Sequence, residues 1–341
     1  MILNDNVFII AEAGVNHNGD LNLAFKLVDA AKKAGADSIK FQTFRTEKIM
    51  TKFANLANYQ KKNTGSQSFQ YEMIKKLELS YQEFIKLKEY CDITKIMFLS
   101  TPDDEDSLDF LVNELKIPII KIGSGELTNL SFLKKIAAKN RPVIMSTGMS
   151  NLGEIEDALN TINIINPNIE IYVLHCTTNY PTSFDEVNLK AMVTIGRAFK
   201  IPVGYSDHTL GIEVPIAAVA MGAKIIEKHF TIDKSLSGPD HKASLEPGEL
   251  KKMVEAIRNI EIALGNGIKK ANKNEIKIMK VVRRSLIAAR DIKKGETIKK
   301  SDIAIKRPEI GILPKYREII TGMKLLKSIK QDKPFQWENF K

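Results

Sequence analysis

Ile225-Ile226-Glu227-Lys228-His229-Phe230 (IIEKHF) is the stretch on which the fold turns. Apolar residues open and close it, and two chemically capable side chains, Glu227 and His229, stand two positions apart. On a β-strand successive side chains alternate faces, so both point one way and Lys228 the other. Gly204-Tyr205-Ser206-Asp207-His208 (GYSDH) ends similarly, one helix and one connection earlier, with Ser206 and His208 on one face. Two histidines at the ends of consecutive parallel strands form a candidate metal site, because neutral imidazole ligates divalent ions.

Outward from these two stretches the chain repeats one grammar. Val7 to Ala11 (VFIIA) is wholly apolar, as suits a strand buried on both faces of a parallel sheet. Glu12 ends it, Gly14 to Gly19 turns, and Asp20 opens an amphipathic helix closed by Gly35 as a left-handed C′ residue. Strand patterns follow at Ser38–Gln42, Ile96–Ser100, Ile119–Lys121, Val143–Ser146 and Ile171–His175. Pro247 to Leu264 makes a last helix with Leu250, Met253, Val254, Ile257 and Ile260 on one face. This alternation predicts an α/β fold, a (β/α)8 TIM barrel over residues 1–267. Phe44 to Leu79, containing Asn63-Thr64-Gly65-Ser66, interrupts it as a loop with some helix over the barrel mouth. Ser80-Tyr81-Gln82-Glu83 then has the spacing of a capping box.

A lysine-rich linker over residues 268–282 leads to a small β-rich domain, 283–341. Ser285 to Ala289 and Ile303 to Arg307 are strand-like there, and Pro308, Gly311 and Pro314 interrupt regular structure beyond them. The spacing gives this domain little core of its own. The formal charge of +10 belongs to this end of the chain: Ala271 to Lys341 carries 19 Lys+Arg against 8 Asp+Glu, and the rest 32 against 33. These basic residues lack the aromatic interleaving of a single-strand nucleic-acid binder, so attraction for anionic small substrates is the reading. The two cysteines, Cys91 and Cys176, indicate no disulfide framework. No secretory leader pattern and no apolar run of membrane length occur, so a cytoplasmic protein without membrane or nucleic-acid partners is expected.

Polar residues gather at the C-terminal strand ends, where such barrels keep their active sites. They are Glu12, Lys40 with Gln42, Ser100 with Thr101, Lys121 with Ser124, Ser146 with Thr147, His175, Ser206 with His208, and Glu227 with His229. Two lysines, several hydroxyls and the turns Gly123-Ser124-Gly125-Glu126 and Ser146-Thr147-Gly148 suit a phosphate and a carboxylate together. His17 and His241 have no clear role, and Cys176 reads as a small buried residue.

Nine of these stretches together carry a family resemblance. FIIAEAGVNHNG (Phe8–Gly19), IKFQT (Ile39–Thr43), FLSTP (Phe98–Pro102), KIGSGE (Lys121–Glu126) and STGM (Ser146–Met149) resemble the sialic acid synthases. So do HCTTNYPT (His175–Thr182), GYSDHT (Gly204–Thr209), IEKHFT (Ile226–Thr231) and SGPDH (Ser237–His241). DIKKGE (Asp291–Glu296) and KRP (Lys306–Pro308) resemble the antifreeze-like SAF domain, a β-clip, that these enzymes carry.

The resemblance implies condensation of phosphoenolpyruvate with N-acetylmannosamine, giving N-acetylneuraminate and phosphate by C–O cleavage. It implies a divalent ion on His208 and His229, commonly manganese, with magnesium and cobalt as alternatives. Lys40, Thr101, Lys121, Ser124, Ser146 and Ser206 match the phosphoenolpyruvate pocket; Gln42, Tyr180 and Asp240 match the sugar side; Glu12 and Glu227 match the catalytic carboxylates. Arg307 matches an arginine reaching the partner's sugar site, which implies a domain-swapped homodimer. Two departures stand out. Thr178, near the phosphate, replaces an asparagine of some members, and Phe44 replaces a histidine. They keep open a second sugar, the 2,4-diacetamido-2,4,6-trideoxymannose of legionaminic acid synthases. A Schiff-base aldolase using Lys40 or Lys121, and a carbohydrate- or ice-binding protein with the barrel as scaffold, are the rival classes.

Overall fold

A computed structural model of the chain describes residues 6–54 and 70–340. The chain divides into two units, Met1–Gly265 and Asn266–Lys341.

Eight parallel strands make the first unit: β1 (Phe8–Gly14), β2 (Ser38–Thr43), β3 (Met97–Pro102), β4 (Ile120–Ile122), β5 (Val143–Ser146), β6 (Ile171–Cys176), β7 (Val203–Asp207) and β8 (Ile225–His229). Their order is β3-β2-β1-β8-β7-β6-β5-β4, and β3 lies beside β4, so the sheet rolls into a barrel. Period-two alternation divides its apolar residues between two cores. Phe8, Ile10, Leu99, Ile144, Leu174 and Ile225 fill the barrel interior. Ile9, Ala11, Ile39, Phe41, Val173 and Ile226 pack outward against the helices. With the interior plugged by hydrocarbon, the C-terminal strand ends above it are free to be polar. Register then places Glu12 beside Lys40 on one side and His229 on the other, and Ser206 beside Glu227.

Helix boundaries follow local chemistry. Asp20 accepts a hydrogen bond from the Asn22 amide at 2.8 Å and starts the helix Leu21–Ala34, which stops at Gly35 with φ of 85°. Only glycine adopts that backbone without steric cost. The capping box of Ser80 and Glu83 is present at the start of Tyr81–Thr94. Strand ends differ from the sequence reading by a residue or two: β1 runs past Glu12 to Gly14, and β3 runs through Pro102, paired with Thr43. Hydrophobic pattern locates a strand's interior, whereas its ends depend on the neighbour's hydrogen bonds. The excursion after β2 contains the short helices Thr46–Ile49 and Gln70–Lys75; Asn63–Ser66 lies outside the described residues.

The second unit departs from expectation twice. Residues expected as linker form a helix, Lys273–Val282, which falls within this unit. Asn272 accepts from the amides of Asn274 and Glu275, and Glu275 reaches back to the Asn272 amide; this is a capping box hidden among lysines. The unit also has its own core, built from Leu286, Ile292, Ile298, Ile312, Ile320 and Phe335 among others. Among the described residues of this unit, only β9 (Ser285–Ala288) and β10 (Ile303–Lys306) pair as a regular antiparallel ladder. The other core residues sit in turns, where spacing gives no periodic signal.

One buried ion pair fastens β7 to β8 on the outer face. Lys228 and Asp207, alternating away from the interior, pair with both side chains at 0% exposure. Thr209 donates to Asp207 Oδ1 at 2.9 Å, and its carbonyl accepts from Lys228 Nζ. Removing one partner strands the other charge in hydrocarbon. Asp207→Ala is expected to lose about 3–5 kcal/mol in urea unfolding; a loss below about 1 kcal/mol, the worth of an exposed pair, would contradict this account.

Candidate active site

The strand ends enclose a cavity of about 180 Å³ at the C-terminal mouth of the barrel. Glu12, Lys40, Gln42, Thr101, Lys121, Ser124, Ser146, Thr178, Tyr180, Ser206, His208, Glu227 and His229 all line it. Alternation does the sorting: Lys40 and Gln42 face in and Phe41 packs out, and Glu227 and His229 face in around Lys228.

Its centre is a cluster of two ammonium and two carboxyl groups, all buried. Lys40 Nζ lies 2.8 Å from Glu12 Oε2 and 3.8 Å from Glu227 Oε2, and it donates to Thr101 Oγ1 at 3.0 Å. Lys121 Nζ lies 3.4 Å from Glu227 Oε1 and donates to Ser146 Oγ at 2.7 Å. Ser206 Oγ donates to Glu227 Oε1 at 2.9 Å. Glu227 therefore sits between both lysines, whereas Glu12 has one.

That asymmetry separates the two carboxyls. Burial raises the Glu12 pKa, and the Glu227 charge raises it further, beyond what Lys40 offsets. Burial also raises Glu227, but Lys121, Lys40 and the Ser206 hydroxyl outweigh it and hold the group below its ordinary value. Lys121 is lowered by burial and by Lys40, against the pull of Glu227. Neighbouring titratable groups pushed in opposite directions are the arrangement by which an acid and a base coexist in one site.

Beside this cluster, the His208 and His229 ring centroids are 5.5 Å apart. Burial lowers both imidazoles, and His229 is pushed lower by His208 and Lys40. Both are thus neutral at neutral pH. His208 Nδ1 lies 2.6 Å from the Thr177 carbonyl and donates to it, which leaves the lone pair on Nε2. His229 Nδ1 is buried without a hydrogen-bond partner. Tyr180 packs on both rings, with centroid distances of 4.1 and 5.6 Å. Among the described residues, no group of three or more His, Cys, Asp and Glu side chains is placed to hold an ion.

At the ends of β4 and β5, Ser124 Oγ accepts from the Gly148 amide at 3.0 Å and lies 3.1 Å from Cys176 Sγ. A Cβ on Gly148 would stand 2.1 Å from Thr178 Oγ1, so the turn after β5 admits only glycine here.

The NeuB family profile matches residues 27–269, and the SAF domain profile matches residues 283–341. The chain belongs to the NeuB family. It is an enzyme of the sialic acid synthase type. The N,N'-diacetyllegionaminic acid synthase of Campylobacter jejuni is 53% identical over 325 residues, covering 95% of this chain and 97% of that protein. The protein of the same name from Legionella pneumophila is 49% identical over 335 residues, covering 97% and 94%. The crystal structure of N-acetylneuraminic acid (sialic acid) synthetase from Leptospira borgpetersenii, in complex with citrate, shares 37% identity. It superposes with a TM-score of 0.70 over 80% of this chain and 90% of that one.

Some residues singled out in the sequence lie elsewhere in this NeuB-family fold. Ser100, Thr147 and His175 alternate away from the cavity, bonding Thr43, the Leu174 carbonyl and the Val187 carbonyl. Asp240 does not line the cavity; it is buried, and burial pushes its carboxyl up to about 6. Arg307 is exposed in the second unit. His241 bridges Thr231 and Asn18, fastening the loop after β8 to the first turn. Cys176, Asp103 and Met149 line the cavity without having been expected to. Cys176 was legible: Tyr172 and Leu174 face the barrel interior, so two residues on Cys176 does too, and His175 does not.

The opposed carboxyl shifts have a signed consequence for stability. Glu12, held above its ordinary value of 4.5, costs stability increasingly as pH rises past that value. Glu227, held below it, contributes stability at neutral pH that is lost as pH falls through the folded value. Urea unfolding should show Glu12→Gln gaining on the parent as pH rises. Glu227→Gln should lose about 3 kcal/mol at neutral pH, with a loss that shrinks in acid. Equal losses for both variants at every pH would contradict the split.

Proposed function

We propose that this chain condenses phosphoenolpyruvate with 2,4-diacetamido-2,4,6-trideoxymannose, releasing phosphate and forming N,N'-diacetyllegionaminate. The observation that carries the choice of sugar is the 53% and 49% identity to N,N'-diacetyllegionaminic acid synthases over nearly the whole chain, against 37% to the sialic acid synthetase. N-Acetylmannosamine, the sugar first expected from the sequence, thereby becomes the second reading. The observation that supports the reaction is the buried pair of lysines with hydroxyls and a glycine turn, a set suited to an anion with two charged ends.

In this proposal Lys40 and Lys121 hold the phosphoenolpyruvate anion, with Ser124 and Ser146 adding hydrogen bonds. C3 of the enol attacks the aldehyde carbon of the open-chain sugar, forming the C–C bond. The aldehyde oxygen takes the proton that Glu12 holds. Positive charge develops at C2 beside the Glu227 carboxylate, which stabilises it and accepts a proton from the water that adds there. The C2–O bond to phosphate then breaks, and phosphate leaves with the hydroxyl proton.

His208 and His229 fit a divalent ion shared with substrate or water oxygens, being two neutral imidazoles, one with a buried nitrogen that has no partner. Such an ion, manganese in the expected case, would supply Lewis-acid polarisation of the aldehyde. A cytoplasmic homodimer in which Arg307 serves the partner's sugar site belongs to the same proposal; full turnover by a monomer in solution would contradict the dimer.

A phosphate-release assay tests the whole reading. Turnover should require phosphoenolpyruvate and an acetamido sugar together. The diacetamido sugar should exceed N-acetylmannosamine by at least about ten-fold in kcat/KM. Exhaustive chelation should abolish release, and manganese should restore it. Preference for N-acetylmannosamine would overturn the sugar; undiminished turnover after chelation would overturn the ion.

A further inference from the structure

A second cavity, of about 630 Å³, adjoins the first beyond the ends of β2 and β3, and Asp103 lines both. At about 180 Å³ the first cavity is smaller than the roughly 300–1,000 Å³ typical of ligand pockets. Phosphoenolpyruvate and a six-carbon sugar together must extend beyond it. One wall through which they can extend carries Asp103.

The other acidic groups lining the second cavity are engaged. Asp104 accepts from the Arg45 amide at 2.8 Å and the Ser107 hydroxyl at 2.7 Å. Glu105 pairs with Lys135, and Asp106 with Lys48. Glu126 accepts from Asn129 Nδ2 at 2.7 Å. Only the Asp103 backbone is spoken for, its amide donating to the Thr43 carbonyl at 3.1 Å. Its carboxyl accepts no hydrogen bond from any described residue, and burial pushes its pKa up to about 7. A half-buried carboxyl without a donor, at the junction of a reaction cavity and a larger space, is suited to a ligand N–H or O–H.

We infer that Asp103 is a specificity-determining residue that accepts a hydrogen bond from the 4-acetamido N–H of the sugar. The acetyl methyl beyond that N–H then enters the second cavity, whose lining includes the apolar side chains of Ile49 and Phe132. A sugar with a hydroxyl at that carbon would leave this space empty. The inference rests on the diacetamido-sugar reading above and adds the residue that reads the second acetamido group.

The test is steady-state kinetics of the parent, Asp103→Asn and Asp103→Ala with both sugars, with thermal unfolding confirming that each variant is folded. Assayed above pH 7, where the Asp103 carboxyl is ionised, Asp103→Ala should raise KM for the diacetamido sugar about ten-fold or more, the effect of losing a hydrogen bond to a charged group. Its kcat and the KM for phosphoenolpyruvate should stay within about two-fold. For N-acetylmannosamine the loss should be smaller, so the ratio between the sugars narrows; Asp103→Asn should fall between parent and Asp103→Ala. Equal losses on both sugars would overturn the inference alone, and so would a rise confined to the KM for phosphoenolpyruvate, which would place Asp103 with Lys40 instead. A parent that turns over no diacetamido sugar would overturn the proposed function and this inference with it.

Discussion

Everything at the barrel mouth depends on Glu227 lying between Lys40 and Lys121. Two ammonium groups buried together repel one another, and neither keeps its charge in a dry cavity without a counter-charge. Glu227 supplies it to both, within 3.8 and 3.4 Å. This leaves Glu12, adjacent to Lys40 alone, as the carboxyl that burial can keep protonated. The same constraint fixes the chemistry on offer: an anion is attracted, one acid group is held ready, and one carboxylate is held ionised beside it. The barrel makes this possible by bringing β1, β2, β4 and β8 to one point, where no single element could place four charges.

The neutral imidazoles complete the division of labour. His208 and His229 line the same cavity as Ser124, and Lys40 adds to the burial that keeps His229 unprotonated. One cluster thus prepares both halves of the proposed condensation: charge for the phosphoenolpyruvate end, lone pairs for an ion at the aldehyde end. Asp103 joins this cavity to a larger one, which on the proposed reading takes the part of the sugar that distinguishes one nine-carbon product from another. On that reading the reaction resides at the barrel centre and the sugar preference at its rim.

The sequence made the centre legible because strand alternation is local. Ser206 with His208, and Glu227 with His229, could be assigned to one face from period two alone, and the cavity lining agrees. The same rule applied to β6 selects Cys176 over His175. His175, although it carries the imidazole, points away from the cavity, to the Val187 carbonyl. Asp103 is not legible in the sequence because it follows the strand, where alternation no longer applies, and because its significance is the lack of a partner, a property of tertiary structure. In the second unit the core was illegible for a similar reason: Ile292, Ile312 and Phe335 sit in turns without periodic spacing. The helix Lys273–Val282 was hidden by lysine-rich composition, although Asn272 and Glu275 carried its capping signal.

The central claim is that Glu12 carries a proton at neutral pH while Glu227 is ionised. Infrared spectra of the protein labelled with carbon-13 in its glutamate carboxyl groups test it directly, since a protonated carboxyl has a C=O band that a carboxylate lacks. A protonated-carboxyl band should be present at neutral pH, disappear in Glu12→Gln and fade in the parent as pH rises. A band that survives in Glu12→Gln and is lost in Glu227→Gln would contradict the claim.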